Sequence, residues 1–335
     1  MIPVNEPLVG ESENKYVMEC LRTGWISSEG HFIHDFEERW AAYCGMSHGV
    51  AVSNGTVALE IAMACLDLKP GDEVIMPTFT IISCAQAVTM CGLKPVLVDS
   101  DPHTWCMDVS QVEEKITGRT RALMPVHIYG HPVDMDPLQE LARKHNLVII
   151  EDAAEAHGAE YKGRKSGGLG DLGCFSFYAN KIITTGEGGM VLTKDAGQAE
   201  RLRALRNLCF RKERRFYHTE LGHNYRLTNL QAAIGLAQLE RIDESVTKKR
   251  WMGAAYTERL KNIAGLQLPI EEPWARNVYW MYGVVLDDAF GMDAVEFARR
   301  LGEQGVMTRP FFLGMHEQPV FQDMGLFLDE HYPVA

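Results

Sequence analysis

Three short segments of this 335-residue chain carry residue types that could do chemistry together. The first is the sequence Ser-Asn-Gly-Thr at residues 53–56, which leads into a helical pattern of small and apolar residues. The first N–H groups of that helix, together with the Thr56 hydroxyl, could hold a phosphate group. A plain helix cap with a turn glycine is the alternative, favoured by roughly two to one on this segment alone.

The second segment places acidic side chains directly after an apolar strand pattern. Residues 147–150 are all aliphatic, and Glu151, Asp152 and Glu155 follow them, separated only by alanines. A carboxylate buried at the end of a strand needs a partner, and its small neighbours would let a flat group come close. Capping of the next helix explains the same residues equally well.

The third segment contains a lysine at the end of a strand-like run. Lys181 closes the alternating sequence of residues 175–181 and precedes the glycine-rich residues 184–189. An isolated lysine is usually a solvated surface group. Beside a buried strand end, however, loss of water lowers the pKa of the amine and makes its neutral form a nucleophile.

Together the three segments offer what the cofactor pyridoxal 5'-phosphate requires of a protein. A lysine such as Lys181 binds the cofactor aldehyde, an acid such as Asp152 keeps the pyridine nitrogen protonated, and a helix N-terminus neutralises the phosphate. An aromatic side chain should stack on the ring, and Phe79 follows a strand pattern where it could do so. A phenylalanine in that place is more often plain core.

A second glycine-rich motif is discounted. Residues 168–173 satisfy the Gly-x-Gly-x-x-Gly pattern of dinucleotide-binding proteins. That motif requires an apolar strand before it and a helix after it, whereas residues 161–166 are polar and the residues that follow are strand-like. The sequence therefore argues against NAD binding.

Composition and charge exclude several classes of protein. With 46% hydrophobic and 23% charged residues the chain can bury a large core, and its net charge of −12 argues against a nucleic-acid surface. The first residues lack the pattern of a leader peptide, and no run approaches the ~18 apolar residues of a membrane helix, which predicts a cytoplasmic protein. The eight cysteines lack zinc spacing, so we expect a reducing compartment and no metal.

The first two-thirds of the chain predicts an α/β fold with a mainly parallel sheet. Short β-branched runs alternate with helical periodicity between about residues 50 and 195. The clearest βαβ unit has a strand at 122–128, a helix at 138–144 preceded by Asp136 and Pro137 as cap and first turn, Asn146 as its end, and a strand at 147–150. Ligands of such sheets bind beyond the carboxyl ends of the strands.

The remainder of the chain predicts longer helices and then a smaller α+β unit. A helix is expected at 229–240, a charged stretch at 243–250 leads into a helix at 254–261, and a strand at 278–286, a helix at 294–303 and a strand at 306–312 follow. We expect a large domain at residues 1–245 and a small domain at 246–335.

The order and spacing of several motifs resemble the DegT/DnrJ/EryC1/StrS family of nucleotide-sugar aminotransferases. The motifs are SNGT at 53–56, GDEVIMPTFT at 71–80, EDAAEA at 151–156, FSFYANK at 175–181, TTGEGG at 184–189 and NYR at 224–226. The resemblance extends over nearly the whole chain. A relative with histidine in place of the lysine works as a dehydratase, and the lysine at 181 removes that option.

The resemblance implies the aspartate-aminotransferase fold (fold type I) and a homodimer with active sites at the interface. Lys181 and Asp152 would then be catalytic, Phe79 the ring that stacks on the cofactor, and Glu155 a residue near the cofactor hydroxyl. The phosphate would be held by Gly55, Thr56 and Ser176, joined by Asn224 from the neighbouring subunit. Members of the family usually extend through a last strand and helix, so the small domain is expected to lack them.

The reaction implied by the resemblance transfers an amino group in two halves. L-glutamate would convert pyridoxal phosphate to pyridoxamine phosphate, which would then aminate C4 of a nucleotide-linked 4-keto-6-deoxy sugar for surface polysaccharide such as O-antigen. A GDP-linked sugar is favoured, with UDP- or dTDP-linked sugars, a different fold-type-I enzyme and a non-catalytic binding protein as alternatives. Arg226, Arg309 and His316 are candidate substrate contacts, although a surface or packing role explains each of them equally well. His127 and His131 either face the pocket or cap a strand end.

Overall fold

The computed structural model describes residues 1–210, 214 and 216–335. Its helices are α1 (Glu11–Thr23), α2 (His31–Tyr43), α3 (Gly55–Ala64), α4 (Ser83–Met90), α5 (Val112–Lys115), α6 (Met135–His145), α7 (Ala196–Arg206), α8 (Asn229–Leu239), α9 (Ile242–Leu260), α10 (Ala294–Glu303) and α11 (Pro319–Asp323). Its strands are β1 (His48–Val52), β2 (Glu73–Pro77), β3 (Lys94–Val98), β4 (Thr120–Leu123), β5 (Val148–Asp152), β6 (Glu160–Tyr161), β7 (Arg164–Lys165), β8 (Leu172–Ser176), β9 (Gly189–Thr193), β10 (Leu266–Gln267), β11 (Ala275–Arg276) and β12 (Val285–Leu286).

A seven-stranded, mainly parallel sheet organises the large part of the chain, in the order β1-β9-β8-β5-β4-β2-β3. Strands β3, β2, β4, β5 and β8 run parallel to one another, and β9 is antiparallel to both β8 and β1. Ser176 and Val52 both pair with Gly189, so the carboxyl ends of β8 and β1 lie at the edge where β9 begins. The same edge carries the carboxyl end of β5 at Asp152, because β5 and β8 are parallel.

Alternation along the strands divides the apolar side chains between two cores. Val50 and Val52 of β1 join the core that contains α3 and α4, whereas Ala51 faces the core that contains α2 and α8. In the second core the Trp40 indole meets the ring of Phe175 edge-on, with centroids 5.0 Å apart. Both faces of the sheet are covered, as parallel strands require.

The predicted βαβ unit is present with shifted boundaries. Strand β4 ends at Leu123 instead of continuing to 128, because Pro125 has no N–H group for the ladder. Helix α6 begins at Met135 with Asp134 as its N-cap residue, so the prediction that Asp136 caps the helix was wrong by two residues. Asn146 ends the helix, as predicted, and the structure shows it in the left-handed conformation.

The second half of the chain departs further from the sequence prediction. The charged stretch 243–250 belongs to one 19-residue helix, α9, whose Ile242, Val246 and Gly253 face the interior at helical spacing. The strand predicted at 278–286 is reduced to Val285–Leu286, paired with Leu266–Gln267, and residues 306–312 make one isolated bridge, Ile2 to Val306. Their aromatic side chains pack against the site described below instead of forming a sheet. The domain division at residue 245 stays a prediction.

The described residues also bear on membrane spanning, metal binding and disulfide formation. Among them, no helix combines the length and apolarity needed to cross a membrane, and no three His, Cys, Asp or Glu side chains converge as a metal site. All eight cysteines are free, and seven of them are buried.

Candidate active site

The polar segments identified in the sequence meet at one edge of the sheet. Asp152 and Ser176 are the last residues of β5 and β8, and Gly55 opens α3 directly after β1. Lys181 lies in the loop between β8 and β9, which turns back over this edge because the two strands are antiparallel. Phe79 follows the end of β2.

The amine of Lys181 is almost completely removed from water. Its side chain is 10% exposed, its Nζ lies 3.8 Å from Oε1 of Glu155, and the ring centroid of Trp280 lies 3.9 Å from the same atom. Burial lowers the pKa of the amine, while the negative charges of Glu155 and Asp152 oppose that change. The desolvated lysine that the sequence predicts is therefore present.

The loop that carries Lys181 is tied to the protein by several hydrogen bonds. The backbone N–H of Lys181 donates to Tyr178 O at 2.9 Å. Phe177 O accepts two bonds, from the N–H of Thr185 at 3.0 Å and from the hydroxyl of Thr184 at 2.9 Å. The N–H of Ile183 donates to Nδ1 of the buried His157 at 3.5 Å. These hydrogen bonds hold the backbone that carries the Lys181 amine in a fixed position.

Asp152 is held by partners on both carboxylate oxygens. The N–H of Ala154 donates to Oδ1 at 3.0 Å, and the thiol of Cys84 donates to Oδ2 at 3.0 Å. Burial raises the pKa of the Cys84 thiol well above its ordinary value, so the sulfur keeps its proton and remains a donor. The backbone of Asp152 is also fixed, by a parallel β-bridge to Val126.

Glu155 is a buried carboxyl beside the lysine. The N–H of Tyr129 donates to its Oε2 at 2.8 Å, from a backbone turn in which Tyr129 has a φ of 51°. Burial raises the pKa of Glu155 to about 7, and the nearby Lys181 amine and this hydrogen bond oppose the increase. The Glu155 carboxyl and the Lys181 amine, each able to accept or donate a proton, therefore lie within 4 Å of each other.

This raised pKa predicts a pH-dependent contribution of Glu155 to stability. The neutral carboxyl stabilises the folded state at low pH, and that contribution is lost as pH rises from its ordinary pKa of 4.5 to about 7. Because Gln cannot ionise, the free energy of unfolding of Glu155→Gln relative to the natural protein should increase across this window by up to about 3 kcal/mol. Urea unfolding of the cofactor-free chain near pH 5 and pH 8 measures it. Glu258→Gln, at an exposed position, is the control, and a difference that does not vary with pH contradicts the expectation.

The start of α3 forms a cradle of donors. Oδ1 of Asn54 accepts the N–H of Val57 at 3.0 Å, so Asn54 is indeed the helix cap, while the N–H groups of Gly55 and Thr56 precede the first intrahelical bonds. A Cβ at position 55 would lie 2.6 Å from Cβ of Ser176, so only glycine lets β8 approach this closely. The two interpretations of residues 53–56 are therefore compatible.

Phe79, just beyond the end of β2, belongs to a group of packed aromatic rings. Phe79 is buried, and its ring centroid lies 5.9 Å from that of Tyr129, 5.8 Å from that of Phe311 and 6.2 Å from that of Phe312. The segment that the sequence predicted to be a strand, 306–312, thus supplies two rings that pack on Phe79. The stacking role of Phe79 stays a prediction.

The remaining predicted residues differ in how near they lie to Lys181. Arg226 and the exposed Asn224 lie beside the cradle. The carbonyl oxygen of Tyr225, between them, accepts the Ser53 N–H at 2.8 Å, and Arg226 forms an antiparallel β-bridge with Val52. Nδ1 of His316 lies 2.8 Å from the hydroxyl of Thr78, next to Phe79. Arg309 is exposed, its guanidinium donates to Thr308 O at 3.3 Å, and none of the contacts found among the described residues joins it to Lys181.

Glu151, the acid adjacent to Asp152, points to the other side of β5 and is fully bonded there. It accepts hydrogen bonds from Nε2 of His127 at 2.9 Å and from the N–H groups of Gly167, Leu169 and Gly170 at 2.7, 2.7 and 2.6 Å. The discounted glycine motif therefore wraps an internal carboxylate. His127 belongs to this buried network.

Sequence reasoning missed three side chains or backbone groups of the site. Trp280 contacts the lysine, the N–H of Tyr129 binds Glu155, and Cys84 binds Asp152. The only sequence signal was indirect: a Tyr-Gly pair after an apolar run, and a tryptophan in a run predicted to be a strand. These residues are distant in sequence from their partners, so local patterns could not pair them.

The whole chain was then compared with known proteins. Residues 7–335 match the DegT/DnrJ/EryC1/StrS aminotransferase family. This chain belongs to that family. It is a transaminase with the fold-type-I architecture, and the family, fold class and enzyme class predicted from the sequence are confirmed.

Individual relatives of this family member cover most of its length. A GDP-perosamine synthase of Caulobacter vibrioides is 47% identical over 96% of the chain and 86% of the relative. A putative pyridoxal phosphate-dependent aminotransferase, EpsN of Bacillus subtilis, is 35% identical over 97% of the chain and 85% of the relative. The crystal structure of DesV from S. venezuelae, in complex with a ketimine intermediate, superposes with a TM-score of 0.87 at 37% identity, covering 93% of this chain and 82% of DesV.

Proposed function

We propose that this aminotransferase uses pyridoxal 5'-phosphate to move the amino group of L-glutamate to C4 of a GDP-linked 4-keto-6-deoxy sugar. The substrate proposed is GDP-4-keto-6-deoxy-D-mannose, and the product GDP-perosamine. The observation that carries the proposal is the desolvated Lys181 amine beside two acids at a strand-end edge. The names of the Caulobacter and Bacillus relatives support the nucleotide sugar and the cofactor.

The donor set fits this cofactor. The Gly55 cradle would hold the phosphate, Asp152 would face the pyridine nitrogen, Phe79 would stack on the ring, and Glu155 would lie near the ring hydroxyl. Pyridoxal phosphate, when bound, supplies an electron sink that stabilises negative charge on the carbon that loses a proton. The cradle is too narrow for any side chain at position 55, which supports a role in holding a compact anion.

Lys181 is proposed to carry the proton of both half-reactions. Its lowered pKa leaves a larger neutral fraction near neutral pH, so Nζ can accept a proton from the substrate carbon and later return it. Glu155 at 3.8 Å stabilises the protonated amine between these events. The braced loop keeps Nζ at one place for both transfers.

Asp152 is proposed to hold a full negative charge opposite the ring nitrogen. Its two hydrogen bonds, from Ala154 N–H and the Cys84 thiol, fix the orientation of the carboxylate before the cofactor binds. A preorganised charge of this kind costs no reorganisation during the reaction.

The cradle makes a prediction about cofactor affinity. Gly55→Ala should lower the affinity for pyridoxal phosphate roughly tenfold or more, because its Cβ would force Ser176 and β8 outward. Affinity for pyridoxal, which lacks the phosphate, should change less. Absorbance titration measures both, with Gly118→Ala as the control, since a Cβ there meets nothing within 4 Å. An unchanged affinity for the phosphate form contradicts this assignment.

The assembly, substrate contacts and location are part of the same proposal. Met18 and Leu21 of α1, and Trp25 just after the end of that helix, are more than half exposed, which supports a homodimer formed through this region. Asn224 would reach the partner's phosphate, and Arg226 and His316 would contact the nucleotide sugar, with Arg309 in the same role at the periphery. Eight free cysteines are typical of a reducing compartment such as the cytoplasm. Light scattering in solution tests the dimer.

The domain division remains a proposal as well. Residues 1–245 would bind the cofactor and residues 246–335 would form the smaller unit. Trp280 of the smaller unit contacts Lys181 of the larger one, so the site depends on both.

The deciding experiment offers the full chain L-glutamate with GDP-, UDP- and dTDP-linked 4-keto-6-deoxy sugars in turn. We expect stoichiometric 2-oxoglutarate and an amino sugar whose mass and NMR spectrum place nitrogen at C4, formed fastest with the GDP-linked mannose derivative. Faster amination of a UDP- or dTDP-linked sugar would overturn the nucleotide assignment. Failure to form 2-oxoglutarate with any of the three would overturn the sugar aminotransferase assignment.

A further inference from the structure

One tryptophan contacts both Lys181 and the residue that precedes it. The ring of Trp280 lies 3.9 Å from Nζ of Lys181, and its Nε1–H donates to the carbonyl oxygen of Asn180 at 2.7 Å. Trp280 is 4% exposed and packs beside Tyr129, with ring centroids 6.3 Å apart. The same side chain thus contacts the tip of the lysine and the backbone at its base.

Among the described residues, Glu155 is the nearest charged partner of the Lys181 amine, and it pairs with the amine without a close hydrogen bond. Glu155 Oε1 is 3.8 Å away, beyond ordinary hydrogen-bond distance. Asp152, Cys84 and His157 are also near enough to interact electrostatically with the amine. Asp152 and Cys84 are hydrogen-bonded to each other, and burial lowers the pKa of His157 to about 3, which keeps the imidazole neutral. An aromatic face attracts an ammonium group without accepting its proton.

We propose that Trp280 is a positioning residue for Lys181: its indole face binds the ammonium form of the amine, and its N–H group fixes the loop one residue earlier. The amine then has a defined position against the indole ring whenever it is not covalently bound. The inference rests on the proposed function for its catalytic meaning. The contact itself concerns only residues of this chain.

The proposal is tested by titrating the Lys181 amine in the cofactor-free full chain. Competitive acetylation over a range of pH, read by mass spectrometry on the peptide that contains Lys181, reports the midpoint for this one amine. Trp280→Leu removes the aromatic face but keeps the site apolar. We expect its midpoint to fall by about one pH unit, a roughly tenfold gain in the neutral fraction near neutral pH.

Other variants separate the two contacts and guard against misfolding. Trp280→Phe keeps an aromatic face but loses the N–H group, so its midpoint should stay near that of the natural protein. Trp280→Met serves as a second apolar variant if Trp280→Leu fails to fold, as judged by thermal unfolding. Trp274→Leu is the control, because that half-buried tryptophan packs on Tyr161 and His131, away from the lysine.

The outcomes distinguish this inference from the proposed function. An unchanged midpoint in a folded Trp280→Leu or Trp280→Met variant overturns the role of Trp280, whatever the enzyme catalyses. A lowered midpoint in a chain that fails to transaminate nucleotide sugars supports the contact and overturns the proposed function instead. An equal decrease in Trp274→Leu would show a general loss of structure and overturn the specific contact.

Discussion

Lys181→Ala is expected to abolish transamination, with a loss of roughly 10⁴-fold or more in each half-reaction. The variant loses both the amine that binds the cofactor aldehyde and the group that moves the proton, and no other lysine contacts Asp152 or Glu155 among the described residues. Stopped-flow measurement of a single turnover with L-glutamate gives the rate of the first half-reaction directly. Borohydride reduction of the natural protein should leave the cofactor attached at Lys181.

Lys162→Ala is the matched control for this lysine. Lys162 is about half exposed and pairs with Asp136 on the surface, so its loss should leave both half-reactions unchanged. Attachment of the cofactor to a different lysine, or substantial turnover by Lys181→Ala, would show that the amine at 181 is not the reactive one.

Asp152→Asn is expected to have the second largest effect, a decrease of roughly 10²- to 10³-fold in the rate of proton removal from the substrate. Asparagine keeps the size of the side chain and can still accept the Ala154 N–H, but it removes the negative charge proposed to face the ring nitrogen. The measurement is the single-turnover rate with L-glutamate, together with the visible absorbance of the bound cofactor as a function of pH.

Asp136→Asn provides the control for Asp152→Asn. Asp136 lies at the exposed start of α6, and its carboxylate pairs with Lys162. A full rate for Asp152→Asn, or an equal loss in both variants, would contradict the assignment of the ring-nitrogen partner to Asp152.

Asp152 and the phosphate cradle are connected through the start of α4. Ser83, the first residue of that helix, accepts the Thr56 hydroxyl hydrogen bond at 2.9 Å, and its neighbour Cys84 binds Asp152. One helix end therefore connects the phosphate cradle to the acid on β5. Substitutions near Ser83 are consequently expected to affect both ends of the cofactor site.

Much of the fold in the first two-thirds of the chain was predictable from local pattern. Helix α3 and strand β5 lie within a few residues of their predicted positions, because each carries a continuous apolar run. In the last third of the chain, helix α10 also has the predicted bounds, 294–303. Asp293 caps it, and this side chain-to-backbone bond is a strictly local signal.

The errors occur where a non-local contact decides the conformation. The charged stretch 243–250 was not predicted to be helical because its charges hide a narrow buried stripe. Residues 278–286 and 306–312 have the composition of strands, yet Trp280, Phe311 and Phe312 are used to cover the site at Lys181 and Phe79. Packing against the site outweighs β propensity there.

The sequence by itself determined which groups are available and in what order: a phosphate cradle, an acid at a strand end, and a lysine before a glycine-rich turn. It did so because these features are encoded in neighbouring residues. Only the tertiary structure decided that Glu155 lies 3.8 Å from Lys181, that Glu151 faces away into a glycine loop, and that Trp280 covers the amine. Those distances arise from β-strand pairing and from side chains up to 100 residues apart in the chain, which no local pattern records.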